Sequence, residues 1–169
     1  MISAYYSPLP DQEYYVRGSY EEDIKLNGRG VHGADGSEVY PGMVAAPKNY
    51  PFGTKMKIPG IGIVGVHDRG RDIVRAGEKN QQFDRLDIWM GYGDNGLRRA
   101  LRWGKRTVDV TVYGVDDNLK EAIALEGYTY GEKATAVLAT ATYASQGAQR
   151  NRKEKFFSKN LQPGDKGED

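Results

Sequence analysis

The stretch from Val39 to Val66 constrains the fold most, because short β-like pieces alternate there with turn signals. Met43-Val44-Ala45-Ala46 leads to Pro51-Phe52-Gly53-Thr54, then Lys55-Met56-Lys57-Ile58, the turn Pro59-Gly60, and Ile61 to Val66. Strands this short and this evenly spaced read as a small barrel. Ile2 to Ser7 reads as a first strand, ended by Pro8 and Pro10. Leu86 to Met90 reads as a later strand, and Thr107 to Tyr113 alternates as a half-buried strand does. Asp94 is placed to cap a helix through Leu97, Ala100 and Leu101, with Gly104 to end it. The segments Asp11–Ser37 and Asp68–Phe83 read as loops. Gly28, Gly30, Gly33 and Gly36 lack a Walker lysine and a strand–turn–helix setting, so they read as loop flexibility rather than a phosphate cradle.

At 169 residues and 38% hydrophobic content, the chain suits one domain with a real core and a modest extension. Its 24 basic and 23 acidic residues leave a formal charge of +1, so no global field draws it to nucleic acid or an anionic membrane. No apolar run approaches the roughly 20 residues of a membrane span. With no cysteine, disulfides and thiolate metal sites are excluded. Beyond Gly114 the character changes: Asp116–Glu126 is charged, Ala134–Ala144 is rich in alanine and threonine, and Gln149–Lys155 is basic. Residues 1–114 therefore read as the core domain and 115–155 as an accessory segment and linker.

Three ordered stretches carry a family likeness: Met43-Val44-Ala45-Ala46-Pro47 running into Pro51-Phe52-Gly53-Thr54-Lys55-Met56; Gly65-Val66-His67-Asp68-Arg69-Gly70; and Arg85-Leu86-Asp87-Ile88-Trp89-Met90-Gly91-Tyr92-Gly93. Followed by Ala100–Gly104 and Thr107–Val110, they resemble the three-aspartate (3D) domain, the catalytic core of the membrane-bound lytic transglycosylase A family. The resemblance covers roughly residues 2 to 114. It implies a mainly β fold: a six-stranded double-psi β-barrel with one or two short helices and a C-terminal extension. It also implies cleavage of peptidoglycan between N-acetylmuramic acid and N-acetylglucosamine. Asp87 falls on the family's third aspartate, the proton donor, and Asp68 on the second. Ala46 stands where the first is expected. Residues 156–169 resemble the opening of a peptidoglycan-binding domain. The implied setting is extracytoplasmic, with a leader absent from this chain and the protein acting as a monomer on glycan strands.

The residues themselves fit that chemistry. One carboxyl can protonate the leaving oxygen and then take a proton from the muramoyl 6-hydroxyl, giving a 1,6-anhydro sugar. The apolar company of Leu86, Ile88 and Trp89 would raise the Asp87 pKa, and Asp68, if close, would raise it further. Trp89 and Tyr6 are expected to stack on sugar faces, and Thr54 and Gly70 to line the substrate site. Each has a plainer reading: Asp87 as a strand-edge aspartate bonded to a turn, Asp68 as a turn-forming residue. Asp35, Asp72 and Asp84 read as solvated loop carboxylates. His32 and His67 could join Asp68 around a metal only if the glycine-rich loop folded onto that turn, and His67 should alternate away from Asp68. Neither metal nor other cofactor is expected. A non-catalytic, expansin-like wall-binding barrel and a hydrolase using water remain open alternatives.

Overall fold

The computed structural model describes residues 1–28, 30–130 and 162–163. The protein is mainly β, with a mixed sheet and, among the described residues, two helices. The strands are β1 (Ile2–Ser7), β2 (Tyr14–Tyr15), β3 (Val44–Ala45), β4 (Thr54–Ile58), β5 (Gly62–Asp68), β6 (Leu86–Tyr92), β7 (Thr111–Val115), β8 (Ala122–Leu125), β9 (Tyr128–Tyr130) and β10 (Gln162–Pro163). The helices are α1 (Tyr20–Asn27) and α2 (Gly93–Trp103).

Six strands follow one hydrogen-bonded path, β1-β6-β3-β5-β4-β7, and β8 pairs with β5 off that path. The pairs β1/β6 and β3/β5 are parallel, whereas β3/β6, β4/β5 and β4/β7 are antiparallel. The two ends of the path approach each other: the Ile2 N–H donates to the Arg106 carbonyl at 2.7 Å and the Arg106 N–H to that of Ile2 at 2.9 Å, a few residues before β7 begins.

Strand alternation divides the sheet into two faces. Ile2, Tyr6, Val44, Val66, Leu86, Ile88 and Met90 form one buried apolar cluster with Met56, Ile58 and Val64. Helix α2 closes this cluster with Leu97, Ala100 and Trp103, its buried stripe at helical spacing. Ser3, Tyr5 and Ser7 of β1 alternate to the opposite face. Strand β6, flanked by β1 and β3, is nearly continuous in apolar residues because both of its faces are covered.

The expected strand at Ile2–Ser7 forms with those bounds, and those expected near residues 43–46, 55–58, 61–66 and 86–90 form within a residue or two. Strand β7 begins at Thr111 rather than Thr107; Val108 and Val110 pack against the core from the approach to it. Helix α2 ends at Gly104 as expected, with the Gly104 N–H on the Ala100 carbonyl at 2.8 Å. Its N-cap, however, is Tyr92. Asp94 lies in the first turn, and its carboxylate accepts from the Glu13 and Tyr14 N–H groups at 2.9 and 3.2 Å.

The segment Asp11–Ser37, read as loop, contains helix α1. The Ser19 hydroxyl accepts from the Glu22 N–H at 3.3 Å, three acidic residues occupy the first turn, and Lys25 sits in the last. Asp23 of that acidic cluster is fully buried. Its carboxylate takes the Tyr6 hydroxyl and the N–H groups of Val16 (2.9 Å) and Arg17 (2.6 Å), tying α1 to β1.

The sheet also runs past Gly114, where the core domain was expected to close. That boundary falls inside β7, and β8 adds to β5 through Gly62↔Ile123 and Ile63↔Ala122. Ile123 is fully buried in the same apolar cluster as β1 and β6. Burying such a side chain contributes about 1.5–3 kcal/mol. Gln162 and Pro163, in the stretch read as the opening of a wall-binding domain, pair with Tyr15 and Tyr14 of β2. The Ala134–Ala144 run and the basic Gln149–Lys155 stretch lie outside the described residues. Among those described, no helix is long and apolar enough to cross a membrane.

Candidate functional site

Register brings the two motif aspartates to one place. Ala45 of β3 pairs with Asp87 of β6 on one side and with Asp68 of β5 on the other, while Ser3 of β1 pairs with Asp87. Asp87 and Asp68 therefore sit about 10 Å apart at their backbones, two strand spacings across the sheet. The β3/β5 register shifts between Val44↔Val66 and Ala45↔Asp68, skipping His67. Tyr5, two residues along from Ser3, donates its hydroxyl to Asp68 Oδ2 at 2.8 Å. That bond fixes Asp68 on the side of Ser3 and Tyr5. Among the described residues no hydrogen bond joins the two carboxyls directly.

Their surroundings differ. Asp68 is well bonded: besides Tyr5 it takes the Ala34 N–H at 3.1 Å and the Arg69 N–H at 2.8 Å. Asp87 Oδ1 is buried with no hydrogen-bond partner among the described residues. Burial pushes the Asp87 pKa up to about 6, against the Ser3 hydroxyl, the Arg85 charge and the Ile88 N–H; the Asp68 charge adds to the rise. Burial likewise raises the Tyr5 phenol, helped by Asp68 and Asp87, so Tyr5 stays a neutral donor.

The glycine-rich segment is built for close approach. Gly30 has φ +55°, and a Cβ there would stand 2.0 Å from Ser7 Oγ and 3.1 Å from Trp89 Nε1. A Cβ at Gly33 would stand 2.5 Å from the His67 carbonyl oxygen. Gly30 and Gly33 press the loop onto β1, β5 and β6, which corrects the reading of those two as a source of flexibility; Gly28 and Gly36 have open space around them. Asp35, on the same loop, is exposed as expected, but its carboxylate is also engaged: it meets His67 Nδ1 at 2.7 Å and the Ser37 hydroxyl at 2.5 Å. Asp84 is held by the Tyr50 hydroxyl and the Ala76 N–H, whereas Asp72 is exposed beside Lys79.

His67 points away from Asp68, to Asp35 and to Glu121 Oε1 at 3.2 Å. Lys55 Nζ meets the same Glu121 oxygen at 2.6 Å, and the Tyr40 hydroxyl bonds the other. Burial opposes ionisation of Glu121, but its bonds from His67, Lys55 and Tyr40 outweigh that and bring its pKa down to about 2. The hydrogen bond to Glu121, with that to Asp35, raises the His67 pKa against the effect of burial. This network ties the loop, β4, β5 and the approach to β8 together. Among the described residues no group of three histidine, aspartate or glutamate side chains has the arrangement of a metal site.

Three of the expected sugar-contacting residues are placed where they cannot serve that role. Trp89 is 1% exposed; its Nε1 donates to Ser7 Oγ at 2.9 Å, beneath Gly30. Tyr6 is 2% exposed in the apolar core, with its hydroxyl on Asp23. Thr54 is 1% exposed, and its hydroxyl closes the Pro51 turn at 2.7 Å. The aromatic residues on the site side are instead Tyr5, on Asp68, and the exposed Tyr92, which packs edge-on against Trp89 with ring centres 4.8 Å apart. Tyr5 was legible from parity: Ile2, Ala4 and Tyr6 make the apolar set of β1, and Ser3, Tyr5 and Ser7 the polar one.

Gly70 does line an open groove, with Pro47, Lys48, Asn49, Arg69 and Arg71. Arg69 runs from Asp68 into this groove. Its guanidinium donates to the carbonyls of Ala46 (3.2 Å), Asp68 (3.1 Å) and Tyr50 (2.8 Å), and it stacks over Phe52 at 4.0 Å. The arrangement thus offers a carboxyl that is protonated below about pH 6, a second carboxyl hydrogen-bonded by three neutral donors, and a cationic groove beside them. Neither a protein-family model nor a curated protein matches the chain.

Proposed function

We propose that the protein is a peptidoglycan lytic transglycosylase with Asp87 as its acid and base, built on a closed six-stranded double-psi β-barrel. The observation that carries this reading is Asp87 itself: a carboxyl with a pKa raised to about 6 and a buried oxygen without a partner among the described residues, on a central strand beside the Asp68 motif. Support for the barrel comes from the six-strand path, its two parallel pairs and the Ile2–Arg106 bridge between its ends. The setting would be extracytoplasmic, on wall glycan.

In this mechanism protonated Asp87 gives its proton to the glycosidic oxygen as the bond from the muramoyl C1 to that oxygen breaks. Charge develops at C1 and the ring oxygen. The muramoyl 6-hydroxyl then bonds to C1 and passes its proton to the Asp87 carboxylate, which regenerates the acid without water. Asp68, held by Tyr5 and two backbone N–H groups, keeps its charge fixed on the same side and biases Asp87 toward its protonated form. Asp87→Asn keeps the shape and removes the proton; release of soluble muropeptides from purified peptidoglycan should fall at least about a hundredfold. Undiminished release by a folded Asp87→Asn protein would move the acid elsewhere.

One observation favours a second reading, a wall-binding barrel without catalysis. Ala46, at the position of the family's first aspartate, is fully buried in the apolar cluster and supplies no carboxyl. Retention of the wild-type chain on peptidoglycan with no product released would select that reading.

A further inference from the structure

We propose that Arg85 is the anion-recognising residue of this site, binding a carboxylate carried by the muramoyl residue whose bond Asp87 protonates. The inference rests on the glycan reading above and adds to it a specificity-determining residue. Two buried side-chain atoms lack a hydrogen-bond partner among the described residues: Asp87 Oδ1 and Arg85 Nε. They belong to residues two apart, Asp87 in β6 and Arg85 immediately before that strand. Arg85 acts on the Asp87 carboxyl through its charge, which places the guanidinium within electrostatic reach of the acid.

A buried guanidinium Nε without an acceptor is rare, because that N–H gives up water and gains nothing in exchange; the half-buried side chain leaves its terminal N–H groups for a ligand. Among the described residues no ion pair joins Arg85 to a carboxylate. Asp72 lies in its field but is bonded to Lys79 at 2.8 Å. The Arg85 N–H donates to the Val74 carbonyl at 2.8 Å, and Val74 lines the groove that also holds Lys48, Arg69 and Arg71. Among the described residues the one acid on that groove, Glu78, is paired with Arg75 at 2.9 Å. Arg85 thus neighbours the acid, and its backbone is bonded to the rim of a groove with positive charge to spare.

A planar guanidinium matches a carboxylate. The muramoyl sugar differs from N-acetylglucosamine by a lactyl ether, whose carboxyl is either free or extended by a peptide that bears carboxylates of its own. Both sources offer the same group next to the scissile bond, and neutral N-acetylglucosamine polymers offer none. Arg85 would thereby select muramoyl glycan and seat it beside Asp87.

The test is calorimetric binding in the Asp87→Asn background, which prevents turnover, with three probes. These are a peptide-free tetrasaccharide of alternating N-acetylglucosamine and N-acetylmuramic acid, the same tetrasaccharide bearing dipeptides, and N-acetylglucosamine tetrasaccharide. Arg85→Met should weaken binding of an anionic probe about tenfold or more, and Arg85→Lys by less, with the neutral probe changed by less than about twofold. Whichever anionic probe loses affinity identifies the lactyl or the peptide carboxylate as the ligand. Equal losses on charged and neutral probes, no loss at all, or failure to bind either anionic probe would overturn the proposal. If Arg85→Met does not fold, the salt sensitivity of the unsubstituted site's preference for the anionic probe decides, and absence of that preference overturns it. Arg85-dependent binding by a chain that releases no anhydro product keeps the subsite and removes the transglycosylase reading; cleavage without Arg85-dependent preference does the reverse.

Discussion

At the scale of single residues, Asp87 holds a proton to about pH 6 because its surroundings disfavour the charge. A carboxyl whose folded pKa is raised contributes stability that is fully present below its unfolded pKa and is lost as pH rises through the folded value. Asp87→Asn should therefore stabilise the protein by roughly 1–3 kcal/mol at pH 7.5 and by nearly nothing at pH 4. Denaturant unfolding of both proteins at the two pH values measures this; equal stabilities at pH 7.5 would mean that Asp87 is not strained by ionisation. Asp68 raises the same pKa, so Asp68→Asn should move the high-pH limb of kcat/KM to lower pH, and an unmoved limb would uncouple the two. That Asp87 and Asp68 belong together was legible in their motifs. That Tyr6 and Trp89 are buried was not, because both are amphipathic: an aromatic residue satisfies a core or a sugar face equally well, and only the sheet's parity separates Tyr6 from Tyr5.

At the scale of elements, the glycine-rich loop is a fitted cover. Gly30→Ala would need both a left-handed φ and room that Ser7 occupies, and should cost about 1–3 kcal/mol. Tryptophan fluorescence should shift to the red as Trp89 loses its cover; an unchanged spectrum and stability would contradict the packing described. Glycines that permit close approach and glycines that permit motion look alike in sequence, since what distinguishes them is the neighbour a Cβ would strike. Helix α1 escaped a reading from periodicity because its only fully buried residue is the charged Asp23. Its capping signals, Ser19 followed by Glu22, were nonetheless in plain view. Strands with tight turns at both ends were legible because proline and glycine punctuate them.

At the scale of the whole molecule, the chain beyond Gly114 belongs to the core. Residues 116–121 are charged and polar apart from Leu119, which disguised the apolar Ala122–Leu125 strand after them; its place on β5 depends on a long-range pairing that no local pattern carries. Ile123→Ala should cost about 2–5 kcal/mol, and a chain ended at Gly114 should lose more, since Glu121 would leave Lys55 and His67 without their shared partner. Thermal unfolding checks both, and a stable, cooperative 1–114 fragment would show β8 to be dispensable. What the molecule does to a glycan strand decides the proposed function. Mass spectrometry of the soluble products from purified peptidoglycan tests it most directly: a transglycosylase releases muropeptides ending in 1,6-anhydromuramic acid, one water lighter than hydrolysis products, and Asp87→Asn should lose them. Reducing-end muropeptides alone, or no soluble product from a chain that still binds the wall, would contradict it.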